Sequence, residues 1–117
     1  MEIETKNNIN KILDILLRNK QSYGSLGIEH LGDLVNLFEK HDKKRDLEGE
    51  ELKEILLILS KNILEKNLAR INFELAYNYI YPPPLDSTNF YEIEKYIEEN
   101  WNKMNAVDRQ CLISFEI

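Results

Sequence analysis

Cysteine occurs once in this chain, at Cys111, and histidine twice, at His30 and His41. One thiol cannot form an internal disulfide, so nothing calls for an oxidising compartment. The two imidazoles stand in neither a His-x-x-x-His nor a Glu-x-x-His pattern, so they do not gather ligands on one helix face, and no metal or cofactor is expected. Glycine and proline number only 4 and 3, which argues against a turn-rich β-sandwich, a disordered chain or a phosphate-cradling loop. No apolar run approaches about 18 residues, and the N-terminal MEIETKNN lacks a basic region followed by an apolar one, so neither a membrane span nor a signal peptide is expected. Basic residues are in the minority, 15 against 21 acidic, and the net charge of −6 disfavours general affinity for nucleic acid or anionic membrane. A cytoplasmic protein is the expectation.

What is present is a hydrophobic content of 43% over 117 residues, enough for one domain spanning residues 1–117. The stretch Glu50 to Tyr81 organises it. Leu52, Ile55, Leu56, Leu59, Ile63 and Leu64 recur at helical spacing, with Lys53, Glu54, Lys61, Asn62, Glu65 and Lys66 on the other side, the pattern of a core-facing helix. Pro82, Pro83 and Pro84 stop it. Ahead of it, Ile9, Ile12, Leu13, Leu16 and Leu17 predict a helix from Thr5, as N-cap, to Asn19. Ile28, Leu31, Val35 and Phe38 predict a second helix ending near His41, and Asp46 is the expected N-cap of the long helix. Beyond the prolines, Asn89 and Glu92 form a capping pair before a helix burying Phe90, Ile93, Ile97, Trp101 and Met104.

Two segments fit two templates. Between Leu64 and Tyr81, Leu64, Leu68, Ile71, Leu75 and Tyr79 fit a helix face, while Ile71, Phe73, Leu75, Tyr77, Tyr79 and Tyr81 alternate as in a strand. Good helix formers and the absence of a turn signal favour helix, with a break near Asn67. The tail is either a helix burying Val107, Cys111, Leu112 and Phe115 or a strand through Cys111, Ile113, Phe115 and Ile117. The expected fold is therefore all-α, a compact bundle of five or six helices. Its alternative is α+β, with a two-stranded pairing of residues 71–81 and 111–117. The expected core comprises Leu13, Leu16, Leu31, Val35, Phe38, Leu52, Ile55, Leu56, Leu59, Ile63, Ile97 and Trp101.

Catalytic signatures are missing. Phe38 to Leu52 is superficially like a calcium-binding loop, but with Asp42 as first ligand the third position is Lys44, the turn position is Leu47 and the bidentate position is Lys53, so ammonium groups would repel the cation. Cys111 lies in the apolar run CLISF, a setting for an inert thiol rather than a nucleophile. The pairs Glu50/Glu51 and Glu98/Glu99 are adjacent and diverge on a helix, which suits solvation better than acid/base work. No catalytic residue is assigned, and the protein is expected not to be an enzyme.

Acidity gathers towards the C-terminus, where residues 82–117 carry 7 acidic and 3 basic side chains. Tyr79 and Tyr81 precede the prolines, and Asp86, Tyr91, Glu94, Glu98 and Glu99 follow. Tyrosine joins a large apolar ring to a polar tip and is enriched in interface hot spots. Tyr81 and Pro82, with Ile80 before them, resemble the Tyr-Tyr-Pro motif with which nuclease-colicin immunity proteins grip a basic toxin domain, Ile80 standing where that motif has its first tyrosine. Together with small size, acidity and missing catalytic motifs, this resembles the bacterial immunity proteins of nuclease bacteriocins and contact-dependent growth inhibition. The resemblance implies a cytoplasmic inhibitor that binds a toxin domain, a protein partner, through Tyr79, Tyr81, Asp86, Tyr91, Glu94, Glu98 and Glu99. A homo-oligomer is compatible with it. The alternatives are a regulatory or inhibitor protein of a phage or mobile element, and a small hydrolase.

Overall fold

A computed structural model describes residues 3–21, 29–43, 47, 49–73 and 89–116. Among the described residues five α-helices and a small sheet follow one another: α1 (Ile3–Gln21), β1 (Glu29–His30), α2 (Leu31–Lys43), α3 (Glu50–Glu65), β2 (Arg70–Phe73), α4 (Phe90–Asn100), a 3-10 turn (Trp101–Lys103), α5 (Ala106–Cys111) and β3 (Ile113–Glu116). The helical bundle is as expected, and the pairing foreseen in the α+β alternative stands beside it. β3 is the middle strand, antiparallel to β1 on one side and β2 on the other, with Ile71 opposite Phe115 and Phe73 opposite Ile113.

The apolar stripe of α3 is its buried face. Leu52, Ile55, Leu56, Leu59 and Ile63 are all sealed from solvent, and α3 packs against α1, α2 and α4. Every residue of the expected core is buried except Phe38, which packs against the core while partly exposed. Ser60, facing that apolar interior, returns its hydroxyl to the Leu56 carbonyl at 2.7 Å, so it leaves no unmet donor.

The helix favoured for Leu64 to Tyr81 is not formed in the described part. α3 stops at Glu65 because Asn67 adopts a left-handed conformation (φ 49°), which asparagine tolerates better than most residues. The Asn67 N–H then donates to the Leu64 carbonyl (3.2 Å) and the Leu68 N–H to that of Ile63 (3.0 Å). This pair of bonds is a Schellman ending. Leu68 and Ile63 are both buried, the apolar contact that accompanies it, and the chain leaves as β2. The expected positions 74–81 of this segment lie outside the described residues.

Three helix starts also differ. α1 begins at Ile3, so Thr5 lies inside it and is buried. α2 begins at Leu31, after β1 has taken Glu29 and His30. The N-cap of α3 is Gly49, without a side-chain cap, while Asp46 lies outside the described residues. By contrast Asn89 caps α4 as expected, accepting from the Tyr91 N–H at 2.9 Å. The tail divides between its two templates, a short helix and then a strand, and Val107 is exposed rather than buried.

Asn36 fastens α2 to the approach to α3. Its amide accepts from the Leu47 N–H (2.7 Å) and donates to the Leu47 carbonyl (3.1 Å), both in the interior. Asn36→Ala deprives both backbone groups of these partners, with an expected loss of about 2 kcal/mol readable as a lower urea midpoint at unchanged slope.

Candidate functional site

α4 is the described element that carries the expected contact residues. Its apolar positions Ile93 and Ile97 are buried with Asn100, which fixes the opposite side towards solvent. Tyr91, Glu94 and Glu98 fall at i, i+3 and i+7 and so share a face. The Tyr91 ring is 79% exposed and meets Phe90 edge to face, with centroids 6.4 Å apart and planes at 61°. Glu94 and Glu99 are also exposed, Glu99 lying 4.0 Å from Lys95. Tyr79, Tyr81 and Asp86 lie outside the described residues. The structure thus brings together Tyr91, Glu94 and Glu98, and places Glu99 on the adjoining face.

The face is held by α3. Lys53 lies 3.0 Å from Glu98 and 2.8 Å from Glu50, and its side chain is only 16% exposed while that of Glu98 is 50% exposed. At the other end Lys61 sits over the Phe90 ring, 5.9 Å from its centroid. These two contacts set α3 and α4 antiparallel. Hydrogen bonds from Lys53 to Glu50 and then to Glu98 raise its pKa above the usual lysine value, against the desolvation that would lower it. A raised folded-state pKa gives a contribution that is complete below the unfolded-state value and lost as pH rises through the folded one. The link is therefore intact at neutral pH and opens only in alkaline solution.

One carboxylate of the face is accordingly oriented and partly neutralised from within, and Glu94 is left as its freely solvated charge. α4 as a whole bears 4 glutamates against 1 lysine. Sequence reasoning missed Lys53, which read only as part of the polar side of the long helix. Its partner is 45 residues away, and no local pattern announces such a pair.

Other chemistry is sparse among the described residues. No three His, Cys, Asp or Glu side chains converge as metal ligands would, and no helix is long and apolar enough to cross a membrane. Glu39 is a fully buried carboxylate on α2 that accepts from the Asn8 amide of α1 at 3.0 Å, a helix-to-helix bond rather than a reactive group open to substrate. Arg109 lies over the Trp101 ring, 5.0 Å from its centroid, and donates to the Trp101 carbonyl at 3.1 Å. It ties α5 to the end of α4.

No protein-family model, no curated protein and no solved structure matches this chain.

Proposed function

We propose that this chain is an inhibitory binding protein, the immunity partner of a secreted bacterial toxin, and that it covers a basic surface of the toxin domain with the outer face of α4. The observation that carries this reading is Tyr91, a large ring 79% exposed and braced by Phe90 on a face shared with Glu94 and Glu98. An exposed aromatic beside carboxylates suits a partner that offers a basic rim and an apolar pocket: the ring gives up little side-chain entropy on docking and the charges steer the approach. Tyr79, Tyr81 and Asp86 extend the proposed contact set from the sequence, and Glu99 supplies its edge.

The test begins with affinity purification from the native host at low salt and identification of what co-elutes. Against that partner, Tyr91→Ala is expected to weaken binding by about 2 kcal/mol or more, roughly thirtyfold, chiefly through faster dissociation. Glu94→Gln should instead slow association and flatten its dependence on salt. If no protein is retained, and co-expression rescues cells from no neighbouring toxin, the immunity reading fails.

A further inference from the structure

Lys53 points from α3 towards α4, whereas its neighbour Glu54 lines a cleft on the α1 side, with a volume of about 410 Å³. That is within the range of small-molecule sites. Its floor is aliphatic, made by Ile9 and Leu13 of α1 and Ile58 of α3, and its rim is polar, with Lys6, Glu54 and Lys66 as the charged members. The side chain of Lys20, near the end of α1, donates to the carbonyl of Asn67, just past the end of α3, so the two helices run in the same direction. Lys6 and Glu54 then lie towards one end of the cleft and Lys66 towards the other. From Glu54 to Lys66 the α3 wall is about 18 Å long at helical rise.

We propose that this cleft binds an unbranched aliphatic carboxylate, its tail along Ile9, Leu13 and Ile58 and its head at Lys66. Three features select that chemistry. Among the described residues no aromatic ring lines the cleft, so they offer no stacking platform and favour a flexible alkyl body. The cations are ammonium groups, point charges suited to a single anionic head, and not the guanidinium fork that reads planar groups in two places. Lys6 shares its end of the cleft with a carboxylate, Glu54, whereas among the described lining residues no acidic side chain stands at the Lys66 end, which leaves Lys66 as the cation for the ligand. The acidity of the whole chain does not forbid an anion here. α1 carries 4 basic against 2 acidic side chains, and charges beyond about 8 Å are largely screened at physiological ionic strength.

The test is titration of the full chain with octanoate, nonanoate and decanoate below their micelle-forming concentrations, followed by amide NMR shifts and calorimetry. Saturable shifts confined to the surroundings of residues 9, 13, 58 and 66 are expected, with affinity rising about fourfold per added methylene, the equivalent of about 0.8 kcal/mol. Lys66→Glu should weaken decanoate at least tenfold, while Lys11→Glu, an equal charge change on an exposed part of α1 outside the cleft, should leave it within about twofold. Ile58→Trp should fill the cleft and abolish binding, and its melting curve will show whether the fold is kept. Equal binding of decanol or decyltrimethylammonium, equal losses in Lys66→Glu and Lys11→Glu, or shifts spread over the surface would each overturn the proposal.

Discussion

Gly32→Ala is expected to destabilise the protein by about 3 kcal/mol or more. A Cβ at this position would lie 2.3 Å from the carbonyl oxygen of Gln110, 2.5 Å from its Cα and 2.7 Å from its carbonyl carbon. All three are backbone atoms, so no rotamer change relieves the overlap, and the start of α2 must move away from α5. That movement is costly because α5 runs through the fully buried Leu112 into β3, the middle strand of the sheet. The sign of the effect is itself diagnostic. In an uncrowded helix interior the same change would stabilise by about 1 kcal/mol, since glycine has the larger backbone entropy to lose. Gly49 provides the comparison, because nothing lies within 4 Å of a Cβ built there, and Gly49→Ser at this N-cap should stay within about 0.5 kcal/mol of the parent. Urea unfolding of the two variants decides the matter. A Gly32→Ala protein as stable as its parent would mean that α2 and α5 do not approach as closely as found.

Gly32 also marks the boundary of what the sequence could reveal. Local periodicity is written into the chain: Leu52, Ile55, Leu56, Leu59 and Ile63 repeat because one side of α3 must face the interior, and Asn89 announces α4 because a side-chain acceptor satisfies an orphan N–H. The alternation of Ile113 and Phe115 was equally visible. What stayed hidden depends on residues far apart in the chain. β1 is two residues long and is a strand only because β3 lies beside it, and Gly32 is required only because Gln110 arrives there. The end of α3 is intermediate. Asn67 is legible as a weak point, but local helix propensity outweighs it in the sequence, and what ends the helix is the bond from the Leu68 N–H back to the Ile63 carbonyl. The candidate face divides the same way. The spacing of Tyr91, Glu94 and Glu98 follows from sequence, whereas their attachment through Lys53, and the cleft between α1 and α3, follow from which helices are neighbours.

Leu56→Ala should remove about 2 to 5 kcal/mol, a large fraction of the stability of a domain of this size. Leu56 is fully buried near the middle of a helix that packs against α1, α2 and α4. The neighbouring helices that would have to close a void opened there are themselves fixed: Ile12 and Leu16 on α1, Leu31 and Val35 on α2, and Ile93 and Ile97 on α4 belong to the same buried cluster as Leu56. Because these helices brace one another, the site collapses little, and the cavity cost adds to the lost transfer free energy. Leu37 on α2 supplies the contrast at constant chemistry. It is 66% exposed, and Leu37→Ala is expected to shift stability by no more than about 0.5 kcal/mol. The consequence for the candidate face is direct. α3 is the element from which Lys53 holds Glu98 and Lys61 meets Phe90, so loosening α3 frees α4 to wander. In Leu56→Ala, amide exchange in α4 should therefore quicken together with that of α3. If the unfolding midpoint moves as little as it does for Leu37→Ala, Leu56 is not at the centre of the core, and the support proposed for the Tyr91 face goes with it.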